Sequence, residues 1–255
     1  MLNSKTHHKL SVIVPAYRQA KTIQKDIIRI EKVLRQIRYP YEMIVVVDGY
    51  GDGTYRSAKR LKSLHVKVMV YMKNQGKGHA VRLGMSEATG DYIAFIDSGM
   101  EIDPNGISML LEHMEWYNAD IIVGSKRHQA SIVHYPFSRK VLSTGYQLII
   151  KLMFQLSVRD TQAGIKIFKQ KVLQRILPRL LVKQYAFDLE MLAVARHLGF
   201  RRIYEAPIKL KYNFTDLTHA STLKIIVNIL NDTLAVFYRL YILRYYDNNG
   251  GWRKI

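Results

Sequence analysis

Two carboxylates stand four positions apart, Asp97 and Glu101, where the apolar run Tyr92-Ile93-Ala94-Phe95-Ile96 ends in a turn marked by Gly99, Asp103 and Pro104. Carboxylate oxygens are hard ligands, and a pair at the end of a buried strand suits a divalent cation that in turn holds phosphate oxygens. Three more loops carry polar groups at strand ends: Pro15-Ala16-Tyr17; the run Asp48-Gly49-Tyr50-Gly51-Asp52-Gly53-Thr54; and Gly76-Lys77-Gly78. Each alone is ordinary turn composition. Their recurrence, strand after strand, is the informative pattern. Gly76-Lys77-Gly78 lacks the spacing of a phosphate-binding P-loop, and no dinucleotide fingerprint occurs, which argues against ATPase and dehydrogenase chemistry.

The elements that must position these groups follow from hydrophobic spacing. Short apolar runs at 10–15, 42–47, 66–71 and 92–96 read as strands, and helical spacing over 22–37, 55–64 and 79–88 alternates with them. Strands and helices in that rhythm predict an α/β fold with a mostly parallel sheet and helices on both sides. Ligands of such sheets sit at the carboxyl edge, where all four loops would lie.

Composition narrows the partners. The 39 Lys and Arg against 20 Asp and Glu give a formal charge of +19, which calls for nucleic acid, a phospholipid surface or a phosphorylated substrate. With no Cys, a disulfide framework, a thiolate nucleophile and Cys-ligated zinc are excluded. The polar N-terminus gives no sign of a secretory signal. No uncharged apolar run reaches the roughly 18 to 20 residues of a spanning helix.

Two segments of the second half are amphipathic. Over 137–156, Arg139, Ser143, Gln147, Lys151 and Gln155 gather opposite Val141, Leu142, Leu148, Ile149, Leu152, Met153 and Leu156. Over 222–246 a narrow polar stripe, Lys224, Asn228, Asn231, Asp232 and Arg239, leaves a wide apolar face. Such faces suit helices lying in a membrane interface, with packing on the domain or in a dimer as the plainer account. The division expected is a domain over 1–220 and a C-terminal amphipathic helix with a basic tail over 221–255.

The chain resembles the family 2 glycosyltransferases of GT-A fold. Val14-Pro15-Ala16-Tyr17, Val45-Val46-Val47-Asp48-Gly49, Asp52-Gly53-Thr54, Gly76-Lys77-Gly78 and Gly90-Asp91-Tyr92 through Asp97 follow its motifs in order. Asp120 through Arg127, Arg139 with Ser143, Arg159 through Phe168, and Phe187-Asp188-Leu189-Glu190 resemble the dolichol-phosphate mannose synthase and dolichyl-phosphate glucosyltransferase branch. The Gln-x-x-Arg-Trp motif of processive synthases does not occur. Four positions depart from the pattern: Arg18-Gln19 stands for Asn-Glu, Lys126 for Arg, and Gly99 for the second Asp of the metal motif.

The resemblance implies an inverting transferase that moves a hexose from a sugar nucleotide, UDP-glucose or GDP-mannose, to a polyprenyl phosphate. Pro15, Ala16, Tyr17, Asp48 and Lys77 would hold the nucleotide. Asp97 and Glu101 would hold Mg2+ or Mn2+. Asp97, Lys126, Arg127 and Arg139 are the catalytic candidates, and Arg139, Ser143 and Lys166 the acceptor-phosphate candidates. The implied setting is the cytoplasmic face of an anionic membrane, peripherally bound, with self-association left open. Gly99 also admits a different reading, a catalytically lapsed domain serving as a membrane-bound scaffold or regulatory subunit. Nucleic-acid binding is disfavoured, since no recognised module accompanies the charge.

Overall fold

The computed structural model describes residues 8–99, 101–131, 137–184, 186–210 and 219–247, and leaves the side chains of 137–144 and 219–226 undescribed. Seven strands are seen among these: β1 Leu10–Ala16, β2 Tyr41–Asp48, β3 Val66–Tyr71, β4 Tyr92–Ile96, β5 Ile121–Ser125, β6 Ile165–Lys169 and β7 Ile203–Pro207. The helices are α1 Ile23–Leu34, α2 Thr54–Lys59, α3 Lys77–Ser86, α4 Gly106–Trp116, α5 Phe137–Phe154, α6 Gln170–Ile176, α7 Phe187–His197 and α8 His219–Phe237. The strands form one sheet in the order β3-β2-β1-β4-β6-β5-β7. It is parallel except at β6, which runs antiparallel to both β4 and β5.

The central strands read as unbroken apolar runs because both faces are covered. Alternate residues enter opposite cores: Ile13, Ile44, Val46, Ile93 and Phe95 pack on one face, and Val12, Val14, Val45, Ala94 and Ile96 on the other. That alternation is the period-2 geometry of a strand expressed as two hydrophobic layers.

Two expectations change in extent. Helical spacing over 55–64 is realised only as α2, with Ala58 buried and Leu64 fully exposed. A helix this short gains little from propensity, so it ends where its buried face ends. The segment 159–168, matched as a loop, instead enters β6 at Ile165, which makes the sheet mixed.

The C-terminal helix packs on the domain. The boundary expected between 220 and 221 falls inside α8, and Val236, Leu240 and Tyr246 join the core beside α7. Tyr146 of α5 shares a hydrogen bond with Thr233 of α8 at 2.9 Å. The Phe154 ring stands 6.1 Å from Phe237. The outward side of this helix pair stays apolar: Leu148, Ile149 and Leu152 of α5, with Leu234, Tyr238, Tyr241 and Ile242 of the α8 region, are all exposed. No helix among the described residues is long and apolar enough to cross a membrane.

Candidate active site

Strand order reverses direction between β1 and β4, and the carboxyl edge beside such a reversal is where ligands of open α/β sheets bind. The loops leaving the two strands are tied: Ser98 Oγ donates to the Pro15 carbonyl at 2.5 Å. Asp97 leaves β4 with its N–H on the Gly164 carbonyl at 2.8 Å. Gly164 enters β6 at the same edge, and its lack of a side chain is what lets the two strands meet so closely. A Cβ there would stand 2.1 Å from Asp97 Oδ2.

Lys77, the first residue of α3, straddles the Asp97 carboxylate, with Nζ 2.9 Å from Oδ2 and 2.8 Å from Oδ1. The second contact is an ion pair off the hydrogen-bonding direction, so buried Oδ1 has no directed partner. The same ammonium lies 3.5 Å from Oδ2 of Asp188, at the start of α7. Oδ1 of Asp188 takes Lys166 Nζ at 2.5 Å, and Lys166 also donates to the Ala163 carbonyl. Both ammoniums lie about 5 Å from the buried Phe95 ring, 5.3 Å for Lys77 and 5.2 Å for Lys166.

The two lysines titrate in opposite directions. Burial opposes the charge on Lys77, but Asp188 and Asp97 outweigh it and raise its pKa. For Lys166 burial wins, aided by repulsion from Lys77 and only partly countered by Asp188, and its pKa is lowered. Asp188 is held below the usual carboxylate range, because Lys166 and Lys77 overcome its own burial.

Asp48 has a full set of partners from its own chain. Its carboxylate accepts from Tyr71 Oη at 2.7 Å, Asn74 Nδ2 at 2.9 Å, Gln75 N at 2.7 Å and Gly76 N at 2.9 Å. Those bonds shape the loop that delivers Lys77. Asp48→Ala should therefore lower folding stability by about 1 to 3 kcal/mol, as four part-buried hydrogen bonds lose their charged acceptor. Urea denaturation checks this, and a variant as stable as the wild type would show that the loop holds itself. The Asp52-Gly53-Thr54 motif is also a strut: Thr54 Oγ1 donates to Asp52 Oδ2 at 2.7 Å and accepts the Gln19 N–H at 2.8 Å. That bond braces the first loop, where Pro15 and Ala16 are buried and the Tyr17 ring is exposed beneath the Arg18 guanidinium.

The donor set suits a hard divalent ion. Asp97 Oδ1 is a buried carboxylate oxygen without a hydrogen bond, and Glu101 is an exposed carboxylate in the same turn. No cluster of three or more His, Cys, Asp or Glu capable of holding a metal occurs among the described residues, so an ion there would draw its other ligands from diphosphate oxygens and water. Gly99 sits between the two at φ +96°, its N–H on buried Asp26 at 3.2 Å. Restoring a carboxylate by Gly99→Asp would force a left-handed backbone and bring Cβ within 3.4 Å of Gln19 Nε2. We expect Gly99→Asp to cost about 1 to 2 kcal/mol of stability, read as a lower melting temperature; an unchanged melt would mean the turn relaxes.

The remaining candidates divide. Lys126 and Arg127 leave β5 at the same edge, half-buried, with the Lys126 N–H on Asp160 Oδ2 at 3.0 Å and the Arg127 N–H on Ser125 Oγ at 3.2 Å. Arg139 and Ser143 fall in the part of α5 whose side chains lie outside the described residues. Lys166 is a correction. It is fully buried and spent on Asp188 and the Ala163 carbonyl, so it does not present its ammonium to an acceptor phosphate. Asp188 and Gly164 are the residues in contact with Lys77 and Asp97 that residue-by-residue reading passed over. Both lay within matched motifs, but their partners, Lys77 and Asp97, are remote in sequence.

An open α/β sheet with an acidic strand end at its switch point is the GT-A, nucleotide-sugar transferase type of fold. Solved structures agree. Glucosyl-3-phosphoglycerate synthase from Mycobacterium tuberculosis, solved with Mn2+, UDP and phosphoglyceric acid, superposes with a TM-score of 0.66 over 91% of this chain and 78% of that one, at 16% identity. Mannosyl-3-phosphoglycerate synthase from Rubrobacter xylanophilus gives 0.68 over 96% and 77%, at 16% identity. The model of glycosyl transferase family 2 matches residues 11–177, and the chain belongs to that family. The dolichyl-phosphate beta-glucosyltransferase of Drosophila melanogaster is 32% identical over 206 residues, 74% of this chain and 63% of the relative. That of Homo sapiens is 30% identical over 228 residues, 82% and 68%. The chain thus spans 63% of the length of the Drosophila protein.

Proposed function

We propose that this protein transfers a hexose from a sugar nucleotide to a polyprenyl phosphate at a membrane surface, with inversion at the anomeric carbon. UDP-glucose and dolichyl phosphate are the favoured substrates, because the relatives named above are dolichyl-phosphate beta-glucosyltransferases. The observation that carries the reading is Asp97, set at the switch point with Lys77 across both oxygens of its carboxylate.

The chemistry asks little of a general base. A phosphate monoester is already an anionic nucleophile at neutral pH. Its oxygen attacks C1 of the sugar, the bond from C1 to the diphosphate oxygen breaks, and the nucleoside diphosphate departs with the electron pair. Bound Mg2+ or Mn2+ would neutralise the leaving diphosphate. Asp97 and Glu101 would hold that ion. Pro15, Ala16 and Tyr17 would line the nucleoside, with Asp48 acting through the loop it shapes. Lys126, Arg127, Arg139 and Ser143 would offset repulsion between the two phosphate-bearing substrates.

The acceptor's lipid tail explains the outward apolar side of α5 and α8. Leu148, Ile149, Leu152, Leu234, Tyr238 and Ile242 would enter the interface of the cytoplasmic leaflet, and the excess of Lys and Arg would favour anionic lipid. Each basic residue near the surface contributes about 1 kcal/mol, screened by salt. Co-sedimentation should show binding to phosphatidylserine vesicles that weakens with salt; equal binding to neutral vesicles, or none to either, removes the electrostatic part.

The deciding experiment is a screen of UDP- and GDP-sugars with polyprenyl phosphate and Mg2+ or Mn2+, following glycolipid formation. Turnover with UDP-glucose is expected. A folded protein that turns over no donor would favour the scaffold reading instead.

A further inference from the structure

The loop that carries Lys77 is held from both sides, while its ammonium stands between two carboxylates. Gly76 N is bound to Asp48 at 2.9 Å, and Gly78 N donates to the Lys183 carbonyl at 2.8 Å. Neither glycine tolerates a side chain: a Cβ on Gly76 would stand 2.6 Å from the Lys183 carbonyl oxygen, and one on Gly78 would stand 2.7 Å from the Phe187 ring. The backbone is therefore fixed, and the flexible four-carbon side chain is the part free to shift. Its Nζ covers Asp97 at 2.8 to 2.9 Å but already lies 3.5 Å from Asp188.

We propose that Lys77 is a built-in counter-cation of Asp97, which a divalent ion must displace, and that Asp188 is the carboxylate that receives it. The inference rests on the reading of Asp97 as a metal ligand and adds to it a residue that gates the ion. An ion on Asp97 would face the Lys77 ammonium at close range, and like charges at such distances repel strongly in a half-buried crevice. A shift of Nζ toward Asp188 relieves this. Lys166 sets the preference in the protein alone, since it already pairs with Asp188 from the buried side, and Lys77 stands nearer Asp97, at 2.8 to 2.9 Å against 3.5 Å. A nucleoside diphosphate tips the balance, because its negative charge draws in the ion and compensates the displaced ammonium. Metal without nucleotide then binds weakly, and the two ligands bind as a coupled pair.

Titration of the full chain with Mn2+, followed by the electron paramagnetic resonance of the free ion, tests the proposal without recourse to turnover. In the absence of nucleotide, Lys77→Met should bind Mn2+ more tightly than the wild type by on the order of tenfold, which is 1.4 kcal/mol. Lys77→Arg keeps the charge and should stay near the wild type. Asp188→Asn removes the receiving carboxylate and should weaken Mn2+ binding further, even with UDP present. Melting curves confirm that the Lys77 variants are folded. The proposal is overturned if Lys77→Met binds Mn2+ no better than the wild type, or if Lys77→Arg gains as much as Lys77→Met. Separately, if wild type with UDP binds Mn2+ no better than Asp97→Ala with UDP, the metal reading of Asp97 fails, and the gate fails with it.

Discussion

Asp97→Ala should lower sugar transfer by about a thousandfold at saturating donor and acceptor, the scale on which loss of a principal charge-stabilising group acts. Gly99 supplies no carboxylate, so Asp97 and Glu101 are the proposed acidic ligands of this turn. The variant also takes from Lys77 its nearest partner, leaving the ammonium to Asp188 alone at 3.5 Å. Mn2+ binding in the presence of UDP should be lost with activity. Glu101→Ala, at an exposed position, should lose only about tenfold, since water can replace a peripheral oxygen ligand. Rates of glycolipid formation for the three proteins under one set of conditions decide it. An Asp97→Ala enzyme within tenfold of the wild type would return this stretch to the status of an ordinary acidic turn.

Gly164→Ala should be nearly as damaging although it removes no functional group. The added methyl would need to stand where Asp97 Oδ2 now is, 2.1 Å away, so either the carboxylate turns out of the crevice or β6 draws back from β4. Overpacking of this kind costs about 1 to 3 kcal/mol of stability. Misplacing a catalytic group by about 1 Å costs on the order of a hundredfold in rate. The expected result is a folded enzyme with a lowered melting temperature and turnover down about a hundredfold. Rates within a few-fold of the wild type would show that the Asp97 carboxylate can tilt away and still work.

Much of this was legible along the chain. The strands announce themselves because both faces of the sheet are covered, and unbroken apolar runs such as 12–16 and Tyr92–Ile96 have few other uses. The carboxyl-edge loops follow from the alternation with helices, which alone assigns Pro15, Asp48, Lys77 and Asp97 to one edge. The apolar face expected over 137–156 divides in the structure: Leu148, Ile149 and Leu152 are exposed, whereas Leu156, just past α5, is buried. Periodicity gives the angle between side chains, but the packing partner decides which arc turns inward.

What the sequence by itself determined is the alternating framework and the chemical types gathered at its edge, since these depend on local spacing and composition. Only the tertiary structure decided how those types pair. Lys166 looks like any basic residue of a matched motif. It becomes a buried counter-charge because β6 runs antiparallel between β4 and β5 and sets it opposite Phe95, within reach of Asp188. Asp48 reads as a free ligand until Tyr71, Asn74, Gln75 and Gly76 close on it. Asp188 and Gly164 carry no local signal of their roles, because each acts on a residue far away in the chain, Lys77 and Asp97. Charge pairing and steric exclusion depend on distances in space, and those are fixed by sheet order and strand direction, which a local pattern does not encode.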